Sequence, residues 1–211
     1  SKIAAAVCGR VCGYVELTKP RLTLLALLTT LAGFCLGSVD RINPVRLIVV
    51  LAGTGLLGAG LAALNQYFER RVDAIMPRTG RRPLPSGRLR PFEALGFGSV
   101  ACGGGIMILL FATNLLTAAL GCLTAVLYLF AYMPMKRVTP CCTLVGAIPG
   151  AIPALIGWTA ATGRIELGGI VLFGIAFLWQ LPHVLALAWL LKEDYARVGF
   201  FLTPPTDPSG G

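Results

Sequence analysis

Six long apolar stretches alternate with short polar segments along the chain, at 22–39, 45–64, 92–113, 115–133, 144–162 and 167–191. Each is close to the ~20 residues that an α-helix needs to cross about 30 Å of hydrocarbon. In lipid, every backbone polar group must be satisfied inside the protein, and a helix does this within one segment. The pattern therefore predicts an all-α, polytopic membrane protein with six transmembrane helices. Residues 1–211 read as one domain, with two polar segments on the same side of the membrane, 65–91 and 192–211.

Composition narrows the class further. Hydrophobic residues make up 56% of the 211 residues and charged residues 13%, with a mean hydropathy of +0.79. A soluble globule of this size cannot hide so much apolar surface. Low charge with high hydropathy also excludes a disordered chain. The 26 glycines and 14 prolines follow no three-residue period, which excludes a collagen-like helix.

The net charge of +9 would suit nucleic acid if the cations formed one polar surface. They lie between the apolar runs instead, so no nucleic-acid partner is expected. Fifteen lysines and arginines fall on the side bearing the N-terminus and the 65–91 segment, against Arg41, Arg46 and Arg164 on the other. That asymmetry places the N-terminus in the cytoplasm. A bacterial plasma membrane is expected in preference to the mitochondrial inner membrane, because no Arg/Ser-rich transit segment precedes the first span. Of the seven cysteines, Cys35, Cys102 and Cys122 lie inside spans, and the single histidine completes no zinc site. Neither a disulfide framework nor a structural metal is predicted.

Local signals mark the helix ends. Thr18 before Pro20 predicts a side-chain cap on the first span. Gly146, Pro149, Gly150, Pro153 and Gly157 punctuate the fifth span, which predicts either close helix approach or a broken helix lining a cavity.

The chemistry sits on the basic side. Asn65, Glu69 and Asp73 are spaced i, i+4, i+8, so on a helix they share one face over two turns. Oxygen ligands of this kind suit magnesium, which is typically shared between one or two carboxylates and substrate phosphates. The competing reading is an exposed helix end whose acids are offset by Arg70 and Arg71. Arg78 and Arg82 follow in an arginine-rich loop. They read either as phosphate ligands or as a topology signal touching anionic lipid. Lys136 and Arg137 close the fourth span, with Tyr132 one turn before Lys136, and read either as phosphate ligands or as anchors of the span. A second polar cluster ends the sixth span: Trp179-Gln180-Leu181-Pro182-His183, then Lys192-Glu193-Asp194-Tyr195. On a continuous helix His183 and Asp194 share a face to within ~20°, with His183 roughly 16 Å deeper. Pro182 is a candidate kink. An ionisable group inside a membrane is a functional candidate, and an imidazole can ligate iron or shuttle a proton.

These motifs resemble the UbiA superfamily of intramembrane prenyltransferases, in its heme-farnesylating branch. The resemblance is carried by Leu17-Thr18-Lys19-Pro20-Arg21, by Asn65-Gln66-Tyr67-Phe68-Glu69-Arg70-Arg71-Val72-Asp73, and by Met76, Arg78-Thr79 and Arg82-Pro83-Leu84. It continues through Lys136-Arg137-Val138-Thr139-Pro140, the segment from Gly146 to Ala151 with Gly157-Trp158, and Trp179 to His183 with Asp194-Tyr195-Ala196-Arg197.

The resemblance implies a bundle of nine transmembrane helices around a central cavity. It implies transfer of the farnesyl group of farnesyl diphosphate to a vinyl group of heme B, giving heme O, with magnesium on two acidic motifs. Asn65, Glu69 and Asp73 match the first motif, and Glu193 and Asp194 the second. Asn65, Glu69, Asp73 and Asp194 become the implied metal ligands. Arg78, Arg82, Lys136 and Arg137 become the diphosphate ligands and His183 the heme contact. Hand-over of the product to heme A synthase is a further implied partnership. Glu69 and Glu193 stand where aspartate is usual, and Cys141 and Cys142 where polar residues are. Six spans are three short of nine, and 204–211 reads as a loop interior, so a chain cut in the loop after the sixth span is expected. Two other functions fit the same residues: a UbiA-type prenyltransferase acting on an aromatic or quinone precursor, and a non-catalytic heme-handling transporter.

Overall fold

The computed structural model describes residues 2–39, 41–136, 138–139 and 141–191, with side chains from Gly9 onward. Among these residues the protein is all-α. A first helix, α1 (Lys2–Leu17), precedes six helices long and apolar enough to span a membrane: α2 (Pro20–Gly37), α3 (Pro44–Asp73), α4 (Pro91–Ala112), α5 (Leu115–Met135), α6 (Cys142–Thr162) and α7 (Leu167–Leu190). These match the six apolar runs in number and order. Within α5, Leu127–Tyr132 is π-helical.

Prolines start three of the spans, where the missing N–H costs nothing. Asn43 caps α3 by accepting from the Arg46 amide at 3.0 Å, and Asn114 caps α5 by accepting from the Thr117 amide at 2.8 Å. The predicted Thr18 cap is not formed. Its hydroxyl donates back to the Val15 carbonyl at 2.8 Å, closing the end of α1. The residue before α2 is Lys19, in a left-handed conformation with φ 44°. That geometry is uncommon for a residue with a Cβ.

The buried core joins Phe34, Val50, Leu57, Leu109, Ile152 and Ile156 from α2, α3, α4 and α6. Outward-facing Leu24, Leu28, Ile48, Val100, Phe111, Ile175 and Leu178 are at least half exposed, as side chains against lipid should be. Helices α2 and α6 touch backbone to backbone. A Cβ on Gly157 would stand 2.0 Å from the Thr30 carbonyl, and one on Gly33 would stand 2.1 Å from the Ala154 carbonyl. Without a hydrophobic driving force inside lipid, such close approach is what holds spans together. The glycines of α6 thus serve packing, and α6 runs unbroken through Pro149 and Pro153. Helix α7 likewise runs through Pro182.

The second span extends past its apolar run. Helix α3 continues to Asp73, so the polar segment predicted at 65–91 starts as two turns of helix and becomes a loop only at Ala74. The loop is a series of turns with Met76, Leu84 and Leu89 buried. Leu84 and Leu89 pack with Leu17 of α1, Ala63 of α3 and Ala94 of α4. Two ion pairs also hold α1 down: Arg88 grips both Glu16 oxygens at 2.8 and 2.6 Å, and Arg10 pairs with Glu93. The Arg88 guanidinium holds the Glu16 carboxyl below the usual carboxylate range.

Candidate active site

The acidic motif faces inward. Asn65, Glu69 and Asp73 are 2%, 8% and 1% exposed, which rules out a solvated helix end offset by its own arginines. Arg70 turns away, donating to the Tyr67 carbonyl at 2.7 Å with its guanidinium 4.5 Å from that ring's centroid.

The counter-charges come from three other places in the chain. Arg82, on the loop, donates from Nη1 to both Asp73 oxygens at 2.7 Å. Lys136, at the end of α5, donates to Glu69 Oε1 at 3.0 Å and lies 4.6 Å from the Tyr132 ring centroid. Lys19, at the α1–α2 corner, donates to Asn65 Oδ1 at 2.7 Å. The loop is fastened to the motif by Thr79, whose buried hydroxyl donates to the Asp73 carbonyl at 2.8 Å. Among the described residues, three cations thus meet two carboxylates and one amide, a positive surplus. Lys19 and Arg82 also line a cleft of about 370 Å³ with Glu16, Pro20, Gln66 and Pro83, which brings the cluster to an open surface.

Burial and the Arg82 charge, partly opposed by Glu69, depress the Lys19 pKa to about 8. Lys136 behaves oppositely. Burial penalises its charge, but Tyr132, Glu69 and Tyr128 together raise its pKa above the ordinary lysine value.

Of the residues singled out in the sequence, the structure gathers Asn65, Glu69, Asp73, Arg82 and Lys136. Arg78 is exposed on the loop. His183 is exposed on α7, with its ring stacked on Trp179 at 4.8 Å and 14°. Arg137, Glu193 and Asp194 lie outside the described residues.

Lys19 and Gln66 are the site residues that sequence reasoning missed. Their signal was position alone: a lysine directly before the proline that opens the first span, and a glutamine inside the acidic motif. Gln66 is buried and donates to the Leu17 and Glu16 carbonyls at 3.1 and 3.3 Å, fixing the corner from which Lys19 reaches in.

The donor set fits magnesium in one particular way. Among the described residues no three acidic, histidine or cysteine side chains group to cage an ion. Glu69 and Asp73 offer two buried carboxylates one turn apart on one face, which suits an ion that keeps waters and shares phosphate oxygens.

The UbiA prenyltransferase family matches residues 26–207. The protoheme IX farnesyltransferase of Solibacter usitatus is 48% identical over 204 residues, covering 92% of this chain and 70% of that protein. That of Opitutus terrae is 42% identical, covering 93% of this chain and 66% of that protein. The mitochondrial enzyme of Homo sapiens is 42% identical, covering 92% of this chain and 43% of that protein. The chain thus spans about two thirds of its bacterial relatives and less than half of the human one.

Two solved structures share the fold. A digeranylgeranylglyceryl phosphate synthase aligns with a TM-score of 0.80 at 19% identity, covering 95% of this chain and 70% of that one. A UbiA homolog from Archaeoglobus fulgidus bound to DMAPP and Mg2+ aligns with a TM-score of 0.72 at 18% identity, covering 88% and 66%. Buried acids met by three cations at one end of six spans, and a family match over most of the sequence, lead to one assignment: the chain belongs to the UbiA prenyltransferase family.

Proposed function

We propose that this protein transfers the farnesyl group of farnesyl diphosphate to a vinyl group of heme B, giving heme O. The observation that carries this is the meeting of Lys19, Arg82 and Lys136 with the buried Asn65, Asp73 and Glu69, a set that suits an anionic diphosphate shared with a divalent ion. The names of its relatives supply the acceptor.

Arg82, Lys136 and Lys19 bind the diphosphate and oppose the charge that develops as the allylic C–O bond breaks. Glu69 and Asp73, with Glu193 and Asp194 of the second motif, would hold magnesium, whose charge would further stabilise the leaving group. The heme vinyl terminus forms the new carbon–carbon bond to the farnesyl C1. Water adds at the adjacent vinyl carbon and loses a proton, leaving a hydroxyl there. The apolar walls of the spans keep water from the first cation. Arg78 and Arg137 complete the anion-binding set, and His183 with Trp179 offers a flat, partly polar face to the macrocycle. The reaction belongs at the cytoplasmic side of a bacterial plasma membrane, where the basic residues are concentrated. Hand-over to heme A synthase follows from the product.

Purified protein in nanodiscs, given heme B, farnesyl diphosphate and magnesium, is expected to yield heme O by chromatography and mass spectrometry. Prenylation of an aromatic acid or quinone precursor in preference to heme B would overturn the acceptor. Heme binding with no transfer to any acceptor would favour a heme-handling transporter.

A further inference from the structure

We propose that Gln180 positions the water that ends the reaction, the one whose oxygen becomes the hydroxyl of the product. The assignment rests on the heme-farnesylating reading above and deepens it, because the acidic cluster accounts for bond breaking and not for the water.

Gln180 lies inside a span, ten residues before the end of α7 at Leu190. That end belongs with the acidic cluster, since Ala188 packs with Cys142 beside Val72 and Tyr132. Gln180 is therefore roughly 12 Å deeper than the Ala188 contact. Its amide lies directly against α6. A Cβ on Gly150 would stand 2.2 Å from Nε2 and 2.3 Å from Oε1, so only glycine leaves room for it. One turn nearer the cluster, a Cβ on Gly146 would stand 2.6 Å from the Tyr132 ring. Two side chains with polar tips, one from α5 and one from α7, thus rest on the glycine face of α6, about 6 Å apart along it. The Tyr132 ring centroid is 4.6 Å from Lys136 Nζ, which donates to Glu69. The order inward is Glu69 with Lys136, then Tyr132, then Gln180. Carbons attached to a diphosphate held at the cluster come down beside the amide.

Polar side chains within spans commonly hydrogen-bond to a neighbouring helix. Gln180 makes no hydrogen bond with another described residue, so it does not join α7 to α6 in that way. A polar group left without a partner at this depth is costly and marks a functional position. The same stretch of α6 has acceptors to spare. Pro149 and Pro153 have no N–H, so the carbonyls of Val145 and Pro149 lose their usual helical donors. An amide together with such carbonyls supplies the several polar partners that a buried water needs.

The chemistry suits an amide. Bonding of farnesyl C1 to the vinyl terminus leaves a cation on the adjacent vinyl carbon. The Gln180 oxygen accepts one O–H of the water and leaves the water's lone pair free to attack. The C–O bond forms, and the proton that the water sheds goes to the diphosphate, the base set free by the same reaction. With no water in place, the cation loses a proton from the neighbouring CH2 to the same base and ends as an alkene, lighter by one water. The amide does this while neutral, which avoids placing a charge inside a span.

The test uses the protein in nanodiscs with heme B, farnesyl diphosphate and magnesium, and reads the ratio of hydroxylated to dehydrated farnesyl heme by mass spectrometry. Gln180→Leu keeps the bulk and removes the amide. It is expected to retain transfer and to lower that ratio at least tenfold. Gly150→Ala leaves Gln180 in the chain but sets a methyl group where its amide lies, and should lower the ratio in the same direction. Gly174→Ala, where a Cβ meets nothing within 4 Å, should leave it unchanged. An unchanged ratio in Gln180→Leu, or loss of all transfer in a folded Gln180→Leu, would overturn the assignment. Gel filtration and circular dichroism report on folding. If Gln180→Leu does not fold, Gly150→Ala carries the test, and an unchanged ratio there overturns the assignment equally. If the wild-type protein yields neither product, the transfer reading itself fails and the assignment falls with it.

Discussion

One nitrogen of Arg82 lies 2.7 Å from both carboxylate oxygens of Asp73, nine positions earlier in the chain. The carboxylate is 1% exposed and the guanidinium 25%, so the pair closes the acidic motif from the loop side. Removing one partner of a buried pair leaves an uncompensated charge, which costs far more than the pair is worth when intact. Arg82→Gln is expected to destabilise the protein by roughly 1–3 kcal/mol. Arg82→Gln/Asp73→Asn should recover most of that loss. Thermal unfolding in detergent checks both, and equal melting temperatures for wild type and Arg82→Gln would show that the pair does not hold the motif.

Lys19 gives the site a pH dependence. Its pKa is depressed to about 8, and an entering anion favours its charged form. Affinity for an unreactive farnesyl thiolodiphosphate, measured by calorimetry, should therefore fall as pH rises above about 8, by up to tenfold per unit for one proton taken up. Lys19→Arg should hold its affinity across that range. Stability runs the other way. A folded pKa below the unfolded value means a contribution that is present above the ordinary lysine pKa and lost as pH falls through about 8. Lys19→Met should thus raise the melting temperature at pH 7 more than at pH 10. A flat affinity profile in the wild type would remove Lys19 from the anion site.

The α2–α6 contact leaves no room for a side chain at Gly157. Adding a methyl group there forces the backbones apart, and Gly157→Ala is expected to cost about 1–3 kcal/mol. Gly174, where a Cβ would meet nothing within 4 Å, serves as the control, and Gly174→Ala should be close to neutral. Comparable melting temperatures for the two variants would mean that the close approach at Gly157 is not what joins the helices.

His183, stacked on Trp179 and exposed on α7, should affect heme and not the diphosphate. His183→Ala is expected to weaken heme binding roughly tenfold in a Soret titration, equivalent to about 1.4 kcal/mol. Thiolodiphosphate affinity should stay within twofold. The opposite pattern would move His183 to the anion side of the cavity.

The sequence made the spans legible because hydrocarbon thickness imposes their length: five of the six lie within two residues of the expected bounds, and the second runs on as helix to Asp73. It also made the acidic face legible, since a period of four on a helix needs no knowledge of tertiary structure. Arg82 and Lys136 stood out as candidate anion ligands, but not as the cations that pair with Asp73 and Glu69. That role depends on the loop folding back and on α5 ending beside α3, and neither is encoded locally. The same limit hid Lys19. A lysine before a proline reads as the start of a helix, and only the corner fixed by Gln66 turns it inward. Thr18 failed as a cap for a related reason, since the nearer carbonyl of α1 won its hydroxyl.

The π-helical stretch at Leu127–Tyr132 has a bearing on how this family can vary. A π-turn spends one residue more than an α-turn on each hydrogen-bonded ring, so it acts as a phase adjuster inserted in α5. Between the same two ends it holds one residue more than a plain α-helix would, and Lys136 beyond it reaches Glu69. Losing a single residue from the stretch would let it relax to α-helix and leave Lys136 facing much as it does, whereas losing one from the regular part, Leu115–Val126, would swing Lys136 by about 100° around the helix axis. The stretch is therefore where α5 can shed a residue without costing Glu69 its lysine.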